Sequence, residues 1–415
     1  MANIRFGRTE SGVHYAVKRS GSAVGYCALS IRCGTRDEAG YHGGIAHFTE
    51  HTLFKGTTHK SAAVINGYLD KLGGELNAYT TKEEIVIHAT VLKEDLRKAG
   101  SLLLELATCP TFPQREIETE RGVVIDEIQS YKDSPSDDVY DRFEEKLFAG
   151  HPLGSAILGT ADSVRKITSA ELQRFVREKF LPEAMAFTVV ADIDEAVLEK
   201  RVKDLIARYF PEPSVAAPIA GFRPPEVPLQ PAQFDETKDK RNHEVNAVIG
   251  AVAPSLYEEK DRITAVLLGN ILAGPASNSI LNGILRERNG WVYAVENSYT
   301  QYADTGIMAI CLGCDRSNLE KCCAAVHKEI VKLQTIPLTE SRLRAAKKQL
   351  LGQLAISSDN GEAQCLSMGK SLLAYGRVSP DEEVRSRIDA VTAEDLRLMA
   401  VRIFGAESTS RLIFL

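Results

Sequence analysis

Gly43-Gly44-Ile45-Ala46-His47-Phe48-Thr49-Glu50-His51-Thr52-Leu53-Phe54-Lys55-Gly56 is the stretch around which the rest of the chain makes sense. It predicts a helix opened by Gly43-Gly44 and stopped at Gly56. On that helix His47 and His51, four residues apart, project from one face, and Glu50 lies on the same face three residues after His47. Two neutral imidazoles one turn apart can hold two of the tetrahedral positions of a zinc ion. A carboxylate beside them that is not a ligand can take a proton from zinc-bound water. Two surface or core histidines could share a helix face by accident. The order His-x-x-Glu-His, the reverse of the commoner His-Glu-x-x-His, favours the metal site.

The rest of the composition sets bounds. A chain of 415 residues has room for two or three domains, each with a proper core. With 44% hydrophobic and 26% charged residues it reads as an ordinary soluble globular protein. A net charge of -6 without a lysine/arginine block gives no reason to expect nucleic acid as a partner. No apolar run reaches the roughly 20 residues a membrane helix needs, and the N-terminus lacks the apolar segment of a secretory signal. Eight cysteines, at 27, 33, 109, 311, 314, 322, 323 and 365, sit mostly within apolar patterns, as buried reduced thiols of a cytoplasmic protein would. Cys311 and Cys314 have the spacing of half a zinc knuckle or a redox pair, but no second pair completes it, and they fall at the end of an expected strand from Gly306.

Along the chain, Val24–Arg32, Glu75–Tyr79, Ile85–Val91 and Met185–Ala191 read as strands, with Thr80–Glu83 as a turn. Lys93–Ala107, about Gln114–Tyr131, Val139–Phe148 and Thr168–Phe180 read as helices, with a turn over Asp133–Asp138. Residues 211–240 hold seven of the 16 prolines and read as a linker. After it the pattern restarts. Asn66-Gly67, Leu69, Gly74 and Ala78 match Asn282-Gly283, Leu285, Gly290 and Ala294, each 216 positions on. Ile167-Thr168, Leu172 and Phe180 match Val391-Thr392, Leu396 and Phe404, each 224 on. The expected fold is therefore α+β, two homologous sandwich-like domains, each a mostly antiparallel sheet with helices packed on it. The expected division is 1–210 for a zinc-binding domain and 241–415 for a second copy. The second copy acts as a control. His47, Glu50 and His51 fall opposite Ile263, Val266 and Leu267, so the polar set is not needed to build the fold.

Zinc needs a third protein ligand and one open position. The helix about Gln114–Tyr131 offers Glu120 and Glu127, seven apart on one face, and by spacing alone either could ligate. The zinc motif with Phe54-Lys55-Gly56-Thr57 resembles the pitrilysin/insulinase family of zinc peptidases, the inverzincins, whose short-chain members include the mitochondrial processing peptidase subunits. The resemblance continues through Gly74–Tyr79, Glu120–Glu127 and His151–Gly154. It extends to Leu285-Arg286-Glu287 and Gly290–Tyr293, nearly the whole chain.

That resemblance implies roles for particular residues. It makes Glu127 the third ligand beside His47 and His51, with one zinc ion held per chain, and Glu120 a support for the site from behind. It makes Glu50 the general base, and it assigns Arg286 and Tyr293, in the second copy, to stabilising the developing oxyanion. It puts Asn77 and Ala78 on the sheet edge that pairs with the substrate backbone. In the family a glycine-rich loop before the arginine ends in Ser-Arg-Leu; here Ile280 stands where that arginine would be. The expected activity is zinc-dependent endopeptidase action on peptides or unfolded segments. The chamber would be formed by two chains, a homodimer or a heterodimer with a related subunit, in the cytoplasm and away from membranes. A non-catalytic assembly subunit of the same fold is the rival reading. Opposite Glu127, 226 positions on, stands Gln353, so the second copy lacks all the metal groups.

Overall fold

A computed structural model describes residues 4–214 and 229–415. Among these, the chain divides into two compact units. One comprises residues 4–129, 155–214 and 356–379, the other 130–154, 229–355 and 380–415.

The sheet of the first unit contains β1 (Arg5–Arg8), β2 (His14–Arg19), β3 (Val24–Ile31), β4 (Glu75–Thr80), β5 (Ile85–Leu92) and β6 (Met185–Ala191). Their order is β1-β2-β6-β3-β5-β4, and every neighbouring pair is antiparallel except β2 with β6. All seven residues of β6 are buried, because helices cover both faces of the sheet there. On one face Phe48, Leu103, Phe187 and Ile206 join the large core under the helices Ile45–Leu53, Leu96–Thr108 and Glu195–Tyr209. On the other face the helix Gly361–Tyr375 lays Met368 and Leu372 on Ala16, Ala28 and Val190. That approach is close: a Cβ on Gly369 would stand 2.5 Å from the Ser30 hydroxyl.

In the second unit β7 (Asp235–Lys238), β8 (Val245–Ala253), β9 (Val292–Gln301), β10 (Gly306–Cys314) and β11 (Ser410–Phe414) are ordered β7-β11-β8-β10-β9. Again only the first pair, β7 with β11, is parallel. This is the order β2-β6-β3-β5-β4 repeated. The helices Glu259–Ala273, Leu319–Thr335 and Ala393–Phe404 cover one face. The helix Pro135–Leu147 covers the other, with Val139, Phe143 and Leu147 against Val248, Ile307 and Leu412.

Apart from β1, the strands of the two copies correspond, and so do their main helices. The helices Gln114–Asp133 and Glu340–Ser358 begin 226 positions apart, as do Pro135–Leu147 and Gly361–Tyr375. Ser169–Lys179 and Ala393–Phe404 are each capped by a threonine, Thr168 or Thr392, whose hydroxyl accepts the N–H three residues on. The units are not the contiguous ranges 1–210 and 241–415. Each copy sends the helix that follows its long helix onto the other copy's sheet.

Three local readings change. Asp133–Asp138 is not a turn: Ser134 is the cap and Pro135 takes the first helical position, where its missing N–H costs nothing. Thr80 belongs to β4 and not to a turn. β7 lies inside the expected linker, of which residues 215–228 fall outside the described residues. Cys311 and Cys314, three apart on β10, face opposite sides of the sheet and join different apolar clusters, so they cannot act as a chelating pair. All eight cysteines are free. Among the described residues no helix is long and apolar enough to cross a membrane.

Candidate metal centre

The helix Ile45–Leu53 carries the motif and is held unusually deep, with every residue but His51 buried. Its entry is built for one conformation. Gly44 has φ +86°, and a Cβ there would lie 2.6 Å from the Leu158 carbonyl oxygen, so only glycine fits. The Glu38 carboxylate accepts the backbone N–H groups of Gly44 and Ala46 at 2.8 and 2.9 Å, satisfying donors that a helix start leaves open. Burial pushes this carboxyl up to about 8, against the pull of those two hydrogen bonds.

The ring centroids of His47 and His51 are 4.6 Å apart. Glu127, from the helix Gln114–Asp133, brings Oε2 to 3.3 Å from His51 Nε2 and 3.7 Å from His47 Nε2. Ligand atoms of the three side chains all lie within 4.8 Å of one another, and among the described residues they form the one such group of three. Glu127 Oε2 is buried and accepts no hydrogen bond, although it points between two imidazoles. An oxygen and two nitrogens converging on one point are a donor set for a cation, and N/N/O donors suit zinc. Burial, and then the neighbouring His51, pushes His47 down to about 3, so it is held as the neutral imidazole that a metal requires.

Behind the three stands a chain of polar contacts. His51 Nδ1 is 2.9 Å from Glu120 Oε1, and the other oxygen of Glu120 is 2.6 Å from Lys55 Nζ. Burial acts to lower His51, but the Glu120 hydrogen bond and the charges of Glu50, Glu127 and Glu120 prevail and raise it. For Glu120 burial acts upward, and the hydrogen bonds from His51 and Lys55 win and lower it. Glu50 is buried on the motif helix, and Thr80 Oγ1 donates to its Oε2 at 2.8 Å. Burial raises the Glu50 carboxyl, with Thr80 opposing. Lys55 and Thr80 are additions that spacing does not reveal. Lys55 stands within the motif, yet nothing in the sequence ties it to Glu120, 65 positions away.

Asn77 and Ala78 lie on β4, which pairs only with β5 and so forms the sheet's edge. Asn77 is exposed opposite His88, whose Nδ1 is 2.9 Å from Glu362. His42 sits at the surface, 2.9 Å from Glu171, and takes no part in the group of three. Arg286 and Tyr293 belong to the second unit. Arg286 is exposed on a short π-helix, Asn282–Arg288. Tyr293 is 59% exposed on β9 and donates its hydroxyl to the exposed Asp315 Oδ1 at 2.8 Å.

Comparison with known proteins places this arrangement. The sequence pattern described as insulinase (Peptidase family M16) matches residues 15–161, and that of the Peptidase M16 inactive domain matches residues 166–350. A protein of Streptomyces coelicolor named as an uncharacterized zinc protease is 29% identical over 376 residues, 90% of this chain and 81% of the relative. One so named from Mycobacterium tuberculosis is 30% identical over 371 residues, covering 89% and 83%. Another, from Bacillus subtilis, is 27% identical over 383 residues, covering 92% and 91%. Among solved structures, a protease from Helicobacter pylori superimposes with a TM-score of 0.87 over 100% of both chains, at 17% identity. That likeness is one of fold.

Proposed function

The chain belongs to the insulinase family, peptidase family M16, and on that premise we propose that it is a zinc-dependent endopeptidase acting on peptides or unfolded protein segments. What supports the reading most is the convergence of His47, His51 and Glu127 on one point, with the buried Glu127 Oε2 lacking any hydrogen bond. These three would hold one zinc ion per chain, with Glu120 fixing His51 from behind. Zinc bound there supplies Lewis acidity, which makes a water nucleophilic near neutral pH and draws charge from the scissile carbonyl.

The remaining work falls to the chain's own groups. Glu50 takes the proton from the attacking water and passes it to the leaving amine. Its burial suits both halves of that task, since a raised carboxyl is a stronger base and can hold a proton in transit. Thr80 holds Glu50 in position through Oε2. The open edge of β4 at Asn77 and Ala78 reads the substrate's main chain, which tolerates varied side chains. Arg286 donates to the developing oxyanion, and Tyr293 does so once its one hydroxyl proton turns from Asp315 to the substrate. Because they belong to the second copy, a two-fold homodimer that lends each site its partner's pair would yield two complete sites in one chamber. Eight free thiols suit a cytoplasmic setting.

The test is to measure zinc content and cleavage of a quenched-peptide library on the same preparation, for the natural protein and for Glu50→Gln. One zinc per chain in both, with cleavage only by the natural protein, is the expected result. A natural protein that holds zinc and cleaves nothing would point to the assembly subunit instead.

A further inference from the structure

We propose that Lys55 is a positioning residue of the metal centre: it holds Glu120 so that His51 presents a lone pair, and not a proton, at Nε2. This rests on the reading of His51 as a metal ligand. Nothing in the motif's chemistry demands a lysine four residues beyond the second histidine. The structure gives it a task.

The Glu120 carboxylate has two oxygens and two partners. Lys55 Nζ lies 2.6 Å from Oε2, and His51 Nδ1 lies 2.9 Å from Oε1. An ammonium only donates, so Lys55 occupies Oε2 and leaves Oε1 as an acceptor for the imidazole. An imidazole that donates through Nδ1 bears its free lone pair on Nε2, which faces Glu127 Oε2 at 3.3 Å. The Glu120 side chain is only 8% exposed, so without a counter-charge it would sit as a buried anion at high cost. Without Lys55 on Oε2 the carboxylate would be free to rotate toward water, and His51 Nδ1 would lose the fixed acceptor that orients the ring and keeps its Nε2 lone pair turned to the site.

Lys55 is itself fixed. Its backbone N–H donates to Thr52 O at 3.1 Å at the end of the motif helix. Next to it Gly56 accepts the Thr111 N–H at 3.0 Å, and Thr58 donates to Cys109 O at 3.0 Å. The turn that carries Lys55 is thereby tied to the segment leading into the helix that carries Glu120 and Glu127. Lys55, Glu120, His51 and Glu127 form one chain of consecutive contacts that begins at a partly exposed side chain. The ammonium, with its side chain 22% exposed, can be replaced without opening a cavity.

The experiment measures zinc affinity by competition with a chromogenic chelator, on the full chain, for the natural protein, Lys55→Met, Lys55→Arg, Glu120→Gln and Lys55→Met/Glu120→Gln. A hydrogen-bonding partner behind a metal-bound histidine typically contributes about 10–100-fold to affinity. Lys55 stands one contact further out, and its loss is expected to weaken zinc binding by about 3–10-fold. Lys55→Arg should restore most of that, because a guanidinium can also bind Oε2. In the Glu120→Gln background, Lys55→Met should have no further effect. Equal zinc affinity for Lys55→Met and the natural protein would overturn the proposal, as would a loss of the same size in the Glu120→Gln background. A natural protein that binds no zinc would instead overturn the reading of the metal centre on which it rests.

Discussion

The two halves of this chain repeat one scaffold and differ in what they place on it. Both sheets share the order in which one parallel pair is followed by three antiparallel neighbours. In both, the strand β5 or β10 is followed by a core helix, then a long helix, and near the end a threonine-capped helix. On the motif helix of the first copy stand His47, Glu50 and His51; on the helix Glu259–Ala273 of the second stand Ile263, Val266 and Leu267, packed with that unit's apolar core. On the long helices Glu127 corresponds to Gln353 across the repeat. The apolar version shows what the fold needs. Burying the Glu50 carboxyl and the His47 imidazole in the first copy opposes stability, and the apolar second copy shows that packing does not require them.

The comparison can be pressed hardest at the base. Glu50→Gln should keep stoichiometric zinc and lower kcat/KM on a quenched peptide by more than the ~10²–10⁴ of a general base alone, since water activation is lost too. Val266→Ala, at the matching place in the second copy, should leave kcat/KM within about two-fold, because it touches only packing. Near-normal cleavage by zinc-loaded Glu50→Gln would remove the asymmetry between the copies.

Next comes the metal. Glu127→Gln should lose zinc on mild dialysis, and Glu120→Gln should bind it about 10–100-fold more weakly yet retain it longer. Gln353→Glu should leave the stoichiometry at one zinc per chain, because Ile263 and Leu267, at the places of the two histidines, offer no nitrogen ligand. Atomic absorption on dialysed protein decides all three, and the reverse order for Glu127 and Glu120 would exchange their roles.

A third measurement asks whether the copies collaborate across chains. Glu50→Gln and Tyr293→Phe homodimers should each be impaired. Mixed dimers should recover up to about half of the natural rate, since one of two sites is intact. No recovery in purified mixed dimers means that Tyr293 acts within its own chain or not at all. The smallest expected effect lies in the scaffold the copies share. Thr168→Ala and Thr392→Ala should each cost about 1 kcal/mol in denaturant titrations, because each removes the hydroxyl that accepts the N–H three residues on. Unequal costs would show that one copy depends on its cap more than the other.

Much of this is legible in the sequence, for reasons that can be named. His47, Glu50 and His51 are local, and a helix converts their spacing into geometry without help from the rest of the fold. The repeat is legible because glycines and caps recur at fixed offsets. Glu120 and Glu127 are interchangeable by spacing, since both lie on one helix face; only packing decides which carboxylate reaches Nε2 and which reaches Nδ1. Lys55 and Thr80 are not legible, because each meets its partner across a tertiary contact between separate elements. Pro135 misleads because Asp133-Ser134-Pro135 suits a turn as well as it suits a capped helix start. The exchanged helices cannot be read at all, since an amphipathic pattern tells which face is buried but not against which sheet.

That exchange has a consequence for how the protein is made. Residues leave the ribosome in order, and the sheet of the first unit is complete once Ala191 has emerged. Its second face, with Ala16, Ala28, Val86, Ala186 and Val190, is covered by the helix Gly361–Tyr375. For the time needed to synthesise the intervening stretch, about ten to thirty seconds at ~5–20 residues per second, the nascent chain carries an apolar surface with no partner yet made. The second unit faces no such delay, because the helix that covers its far side is translated before its first strand. A ribosome-bound chaperone that recognises exposed apolar surface has its longest opportunity on the half that carries His47, His51 and Glu127.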